Sequence, residues 1–276
     1  EELEILGLSP EPWDATDVLT IGRLAAMDFS WKVWHRLMDL RAREDWTEVW
    51  RRLVDGEGGQ VPRLAGAGSG APGPLDAAAR QVWLGLGRTG SNAAAVAGRR
   101  STNGSALLSG DPHLAITAPT NWLALGLRSP SYEAVGLTIP GVPAIAIGRN
   151  PNIAWSGTSL HAASSDLFDV SNEAADGRMT ERTETIEVRW SSPRTVTIRE
   201  AAPGPVISDA PLVRTDGTLA IAWMGHRPSD EIGALLGIMQ ARSWADFTAA
   251  IDGLAVPAQN FVMADAAGGV GRAMAA

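Results

Sequence analysis

The sequence predicts an α+β layered fold, and three observations carry that expectation. Helical periodicity dominates the first 55 residues, a tract rich in Gly and Pro follows, and from Ser91 onward short strand patterns outnumber helices. The change of character falls at Arg88-Thr89-Gly90-Ser91-Asn92.

Pro10-Glu11-Pro12-Trp13-Asp14 reads as a loop delivering a helix start, with Asp14 or Thr16 as the N-cap and Asp17 in the first turn. Carboxylates there complement the exposed backbone amides. Val18, Ile21, Leu24, Ala25 and Met27 follow at helical spacing. A second helical stretch is expected from about Trp31 to Leu53. Trp34, Leu37, Met38, Trp46, Val49, Trp50 and Leu53 form its apolar side, and the charges of residues 41–45 face out. Large aromatics at this spacing are first of all packing residues. Gly56–Pro74 can hold neither a helix nor a central strand and reads as a flexible linker. Leu75–Leu84 is a candidate short helix leading out of it.

Residues 91–114 read as one β-hairpin, with an apolar strand over Asn92–Ala97, a turn at Asn103-Gly104 and a return strand over Ala106–Leu108. Asn-Gly between apolar runs favours a type I′ turn, because both residues tolerate positive φ. Pairing about that turn sets His113 roughly 10 Å along the ladder from Ser91, at about 3.3 Å per residue. Further strand-like runs are Ala115–Ala118, Leu137–Ile139, Ala144–Ile147, Thr185–Trp190, Thr195–Glu200, Pro205–Ser208 and Leu219–Trp223. Residues 187–190 and 195–198 alternate as in an antiparallel pair bridged by Ser191–Arg194. Pro228–Ala250 reads as helical with Ser229 as a cap, and a second segment starts at Ser243. Residues 261–265 read as a strand entering a hairpin whose return is cut short.

Composition removes whole classes of chemistry. A formal charge of −8 leaves no basic face for phosphates, which argues against nucleic acid as a partner. With no cysteine, thiol catalysis, zinc–thiolate sites and disulfides are out. Lys32 is the sole lysine, which counts against Ser–Lys hydrolases, Schiff bases and P-loops. No apolar run reaches the ~18–20 residues of a membrane span. The chain opens on Glu1-Glu2 rather than on a basic and then apolar leader, so no signal peptide is expected within it.

A small residue, a serine opening a strand and a histidine on the return strand make a candidate nucleophile site at Gly90, Ser91 and His113. A serine hydroxyl needs a base, and the usual one is a histidine held by a carboxylate. The histidines are His35, His113, His161 and His226; the sequence has neither a G-x-S-x-G elbow nor an H-E-x-x-H pair. Another base is the serine's own α-amine, freed if the Gly90–Ser91 bond is cut. Its reference pKa of ~7.7–8.0 leaves a useful neutral fraction near pH 7.

Four stretches in order carry a resemblance: Leu6-Gly7-Leu8-Ser9-Pro10-Glu11-Pro12-Trp13 with Asp17; Gly90-Ser91-Asn92 with Gly110-Asp111-Pro112-His113-Leu114; residues 148–158, GRNPNIAWSGT; and residues 259–265, QNFVMAD. Together they resemble the penicillin amidase family of N-terminal-nucleophile hydrolases. The resemblance implies an αββα sandwich, two antiparallel sheets between helical layers, preceded by a helical α-chain segment. It implies the C-terminal part of an α chain over residues 1–55, a spacer and cleavage lead-in over 56–90, and a β chain from Ser91 to 276 truncated at its C-terminal end. The whole is then expected to be an internal piece of a larger precursor whose chains form a heterodimer, exported to the periplasm or secreted.

The same resemblance assigns roles. Ser91 attacks the Gly90 carbonyl, and an N-to-O shift and hydrolysis free its amine. It then serves as the nucleophile towards a linear N-acyl amide, with the amine as base and no catalytic cofactor. Asn260 and the backbone N–H of Ser159 hold the oxyanion, and His113 stands beside the nucleophile. Leu114 and Ile147 occupy aromatic pocket positions of the penicillin G enzymes, so an aliphatic acyl chain is favoured over phenylacetyl; Met27 and Phe29 are further pocket candidates. A structural calcium occurs in parts of the family. Asp166 matches one ligand, but Ala163 stands where another Asp is expected, and calcium prefers several oxygens. Two other readings stay open: a non-catalytic scaffold or binding domain of the same architecture, and a conventional Ser-His-Asp hydrolase that needs no cleavage.

Overall fold

In the computed structural model, residues 7, 12–27, 43–50, 90–114, 120–160, 162–188, 190–210 and 217–275 are described. The predicted linker over 56–74, the helix over 75–84, the strand over 115–118 and most of the Trp31–Leu53 helix lie outside them. Helix α1 spans Ala15–Ala25. Asp14 accepts from the amides of Thr16 and Asp17, and Asp17 returns the favour to the Asp14 N–H, a capping box. Helix α2 is Trp46–Trp50. Strands β1 (Gly90–Val96) to β6 follow: β2 Leu107–His113, β3 Leu123–Arg128, β4 Glu133–Thr138, β5 Ile147–Arg149 and β6 Ile153–Ser159. Next come β7 (Ser165–Asp169), α3 (Ser171–Ala175), β8 (Thr180–Ile186), β9 (Arg194–Ala201), β10 (Gly204–Pro205) and β11 (Leu219–Trp223). Helices α4 (Glu231–Gln240) and α5 (Trp244–Ile251) precede β12 (Gln259–Asp265) and β13 (Val270–Ala275). No helix among the described residues is long and apolar enough to cross a membrane.

The elements fall into two units. The first takes 1–27, 90–160 and 229–276; the second takes 28–89 and 161–228. In the first, β13-β12-β6-β5-β4-β3 form an antiparallel six-stranded sheet, and β1-β2 form a separate antiparallel hairpin. Odd-numbered residues of β6 and β12 fill one face of the large sheet. Trp155, Phe261 and Met263 pack there with Ile145 against Ile238 and Met239 of α4 and Phe247 and Ile251 of α5. Phe247 meets Phe261 edge to face at 5.7 Å. Fully burying each such side chain contributes roughly 1.5–3 kcal/mol. The hairpin covers the other face, with both of its strands against β6 and β12.

Two links tie these layers. Asn150 is buried before β6; its Nδ2 donates to Met239 O at 3.0 Å and Ala241 O at 2.7 Å, while Oδ1 accepts from Asn152 N and Ile153 N at 2.8 Å. One side chain thus both shapes the β5–β6 turn and closes the end of α4. Farther off, the Gly98 N–H in the β1–β2 loop donates to Gly268 O in the β12–β13 turn at 2.8 Å. A Cβ at position 98 would overlap Gly104 O and stand 3.0 Å from Gly268 Cα, so only glycine fits. At the other end of the chain order, α1 joins α4 through Arg23, which donates to Ser229 Oγ at 2.7 Å and pairs with Glu231 at 3.3 Å.

The second unit holds the three-stranded sheet β10-β9-β8 and the pair β11-β7, joined by a Val206↔Ala220 bridge. Val170, Val206 and Ala220 form its small core. Arg199 clasps Asp209 with two hydrogen bonds of 2.8 and 2.6 Å, holding that carboxyl below its usual range.

The structure corrects several expectations. Pairing in the β1–β2 hairpin runs Gly90↔His113 to Val96↔Leu107, because a 3₁₀ turn at Gly98–Arg100 withdraws residues from the first strand. The connection is therefore a long loop rather than a two-residue Asn-Gly turn; Gly104 has φ +76°, but Asn103 is not in the left-handed region. Position 113 thus faces residue 90 directly. β8 lies over 180–186 rather than 185–190, and pairs with 194–201 at the Ile186↔Arg194 end. Residues 144–146 precede β5 instead of joining it, and Leu24 is exposed. Asp230, not Ser229, caps α4 through Gly233 N; the Ser229 hydroxyl donates to Glu231 Oε1 at 2.6 Å. The return strand after β12 is complete, pairing back to Gln259↔Ala275. Ser243 caps α5 as expected.

Asn150→Ala leaves two carbonyls and two amides without their partner. At ~1–3 kcal/mol for each buried group left unsatisfied, we expect a stability loss of at least ~3 kcal/mol by urea denaturation. A loss within 1 kcal/mol would show that the linkage is not structural.

Candidate active site

Side-chain direction follows from the ladder. Directly opposed residues in an antiparallel pair share a face, and successive residues alternate. Gly90, Asn92, Asp111 and His113 therefore lie together on one face of the hairpin, and Ser91, Ala93, Gly110 and Pro112 on the other. Contacts confirm both sets. His113 Nε2 is 2.7 Å from Asp111 Oδ2 and 3.4 Å from Asn92 Nδ2. On the opposite face, a Cβ at Gly110 would overlap Ser156 Oγ of β6 and stand 2.7 Å from its Cβ. Ser91 therefore points toward the six-stranded sheet, and the His113 imidazole points away from it. Burial agrees: Ser91, Ala93 and Ala95 are half-buried, while Gly90, Asn92, Ala94 and Val96 are exposed.

The imidazole has a defined orientation. An ionised carboxylate only accepts, so Nε2 carries the hydrogen shared with Asp111 and, in the neutral ring, Nδ1 keeps its lone pair. Nδ1 is 3.4 Å from where a Cβ on residue 90 would stand. The His113–Asp111 pair is largely exposed and adds at most ~1 kcal/mol to stability; its effect is on tautomer and aim.

On the sheet, Asn260 of β12 pairs with Thr158 of β6, and Gln259 with Ser159. The core-facing residues of β12 are Phe261 and Met263, so Asn260 lies on the face covered by the hairpin, as do Thr158 and Ser156. Asn260 Oδ1 accepts from Arg272 Nη2 of β13 at 2.8 Å. Ser159 is placed differently. Leu160 N donates to Ala258 O and Ala266 N to Asn152 O, so the hydrogen-bonded rungs between β6 and β12 fall on even residues of β6. The Ser159 N–H then points away from β12, on the side where β5 pairs only with Trp155 and Ala154. It is not spent on either strand, and it lies one rung from Asn260.

Ile147 is also on the hairpin side, its Cγ2 3.7 Å from a Cβ built on Gly110. Leu114 follows β2 half-buried, its N–H donating to Pro112 O at 3.1 Å. Met27 is half-buried at the end of α1, with its N–H on Leu24 O; Phe29, His35 and His161 lie outside the described residues. In the second unit, Asp166 pairs with Ala222 between β7 and β11, and His226 stands edge-on to Trp223. Among the described residues no group of three or more His, Cys, Asp or Glu is arranged to hold a metal ion.

Arg272 carries no motif of its own, yet its place follows from the turn. A turn centred on Ala266–Gly269 folds residue 272 back beside 260–262, but only if a full return strand is allowed. Ser156 lies within the GRNPNIAWSGT stretch, and its buried hydroxyl has no hydrogen-bond partner among the described residues.

The profile of the penicillin amidase family matches residues 1–276. Acyl-homoserine lactone acylase QuiP of Pseudomonas aeruginosa is 34% identical over 165 residues, covering 55% of this chain and 18% of that protein. Acyl-homoserine lactone acylase PvdQ of Pseudomonas fluorescens is 33% identical over 192 residues, 60% of this chain and 25% of that one. The penicillin acylase 2 proenzyme of Pseudomonas sp. SE83 is 30% identical over 193 residues, 66% of this chain and 25% of that protein. The chain thus spans about a fifth to a quarter of the length of these curated relatives. A thermostable penicillin G acylase from Alcaligenes faecalis superposes with TM-score 0.55 at 23% identity, over 67% of this chain and 34% of that one. That likeness concerns the fold, which is the α+β fold of N-terminal-nucleophile hydrolases.

Gly110→Ala is expected to lower stability by about 1–3 kcal/mol through overpacking against Ser156. Adding Ser156→Gly should restore most of it. Denaturant melts of the three variants measure this, and simple additivity of the two changes would exclude the close contact.

Proposed function

The chain belongs to the penicillin amidase family, and from that premise we propose that it carries the catalytic core of an N-terminal-serine acylase. The reaction is hydrolysis of a linear amide to a carboxylic acid and an amine. The observation that carries the proposal is the parity of β1: it turns the Ser91 side toward the sheet face where Asn260 stands, one rung from the Ser159 amide that neither β5 nor β12 engages.

Maturation comes first. Ser91 Oγ attacks the Gly90 carbonyl carbon, the C–N bond breaks as the acyl group passes to oxygen, and water hydrolyses the resulting ester. This separates an α chain from a β chain that begins at Ser91, with residues 56–90 as spacer and lead-in and residues 1–55 from the α chain. The two chains stay together as a heterodimer. Residue 90 has no side chain to obstruct the attack, and His113 Nδ1 lies 3.4 Å from where a Cβ on that residue would stand.

In turnover the freed α-amine takes the Ser91 proton, directly or through a water, while Oγ attacks the substrate carbonyl. The negative charge on the tetrahedral oxygen is held by Asn260 Nδ2 and the Ser159 N–H. The proton passes to the departing amine, and a water activated by the same α-amine hydrolyses the acyl-enzyme. No cofactor enters these steps. Removing one oxyanion donor typically costs ~10²–10³ in rate. An exported location, periplasmic or secreted, belongs to this proposal and rests on the resemblance alone.

The acyl pocket is expected to prefer aliphatic chains, since Ile147 is aliphatic and stands on the hairpin side of the sheet beside Gly110. The relatives named for acyl-homoserine lactones and for penicillin bracket this choice of substrate.

Two measurements test the proposal. Intact mass of the purified full chain should give two polypeptides, the second starting at Ser91, and Ser91→Ala should give one chain with no amide turnover. A stable single wild-type chain would favour the scaffold alternative; turnover by an uncleaved chain would favour a conventional triad. Separately, C8–C12 N-acyl amides should exceed phenylacetyl amides in kcat/KM by about tenfold or more, a margin typical of pocket fit. Equal turnover would remove the aliphatic preference.

A further inference from the structure

We propose that Arg272 is a positioning residue that fixes which end of the Asn260 amide faces the reacting oxygen. This rests on the reading above, in which Asn260 is an oxyanion donor, and adds a residue to it.

An asparagine amide has two ends of nearly equal size and opposite polarity. Only its NH₂ end can stabilise a developing negative oxygen; the carbonyl end would repel it. In an antiparallel sheet the side chain is free to present either end unless a neighbour discriminates between them. Arg272 does so. Its guanidinium is a donor at every nitrogen and can accept nothing, so the Asn260 atom 2.8 Å from Nη2 is the carbonyl oxygen Oδ1. Rotating the amide by half a turn would set NH₂ against the guanidinium, losing a charge-assisted hydrogen bond and leaving Oδ1 aimed at the substrate. With the bond made, both Nδ2 hydrogens point away from Arg272.

The register explains why an arginine does this. Asn260 pairs across to Met274, and Arg272 pairs with Val262, so Arg272 is the diagonal neighbour of Asn260 on the same face. Diagonal Cα separations of about 7–8 Å need a long side chain. Core-facing residues of the same hairpin, Phe261, Met263 and Ala275, alternate to the other side and cannot take the role. The cation also polarises the carbonyl it grips, which makes the Nδ2 hydrogens stronger donors. Arg272 touches neither the substrate nor Ser91 in this scheme; it acts only through Asn260.

The experiment compares Arg272→Met, Arg272→Lys, Asn260→Ala and the double variant Arg272→Met/Asn260→Ala in the full chain. Rates are normalised to the fraction cleaved at Gly90–Ser91. Arg272→Met should lower kcat about tenfold with KM within about twofold, and Arg272→Lys, which is still donor-only, should recover part of the loss. The double variant should be no slower than Asn260→Ala. A thermal melt of Arg272→Met unchanged within experimental scatter separates positioning from hairpin stability. An unchanged kcat in Arg272→Met, or a loss that multiplies fully with that of Asn260→Ala, would overturn the positioning role while leaving the acylase reading intact. An unchanged kcat in Asn260→Ala would remove the oxyanion role, and this inference with it.

Discussion

The missing side chain at Gly110 decides where the rest of the site can lie. Its backbone rests so close to Ser156 that even a methyl group has no room, and this contact holds the hairpin on the face of the six-stranded sheet that the helices do not cover. Ala93 and Ala95 continue the same small-residue surface along β1. The alanine-rich composition of this strand is therefore a packing requirement, despite its modest intrinsic preference for β structure.

The hairpin divides labour between its faces. Inward it offers the hydroxyl; outward it offers an imidazole aimed by Asp111. These groups sit one register step apart yet on opposite sides of the hairpin. That arrangement suits a serine whose base is its own amine. A Ser-His-Asp relay needs imidazole and hydroxyl within hydrogen-bonding reach of each other, which strand alternation does not favour here.

Much of this was legible beforehand. Asp14, Ser243 and the strand Leu219–Trp223 follow from capping and alternation, and the order of the motifs gave the family and its layers. The register of β1 and β2 was not legible, since nothing in Gly98-Arg99-Arg100 announces a 3₁₀ turn. β3, reading LALGLR, was legible: Leu123, Leu125 and Leu127 alternate with Ala, Gly and Arg at the period of a strand. Ser229 was a reasonable cap in isolation, but Arg23, far away in sequence, engages its hydroxyl. Arg272 needed the three-dimensional pairing, because its importance comes from a diagonal neighbour rather than from any local pattern.

The bond from Gly98 to Gly268 joins the loop of one hairpin to the turn of the other, at the ends opposite the proposed chemistry. Hairpin tips are ordinarily where evolution lengthens a chain without penalty. Here neither tip has that licence, because an inserted residue in one would slide it past the other. Variation among descendants of this sequence should therefore accumulate in the second unit, around the solvent-facing β8–β9 ribbon, while these two remote glycine turns keep their length as faithfully as the residues that do the chemistry.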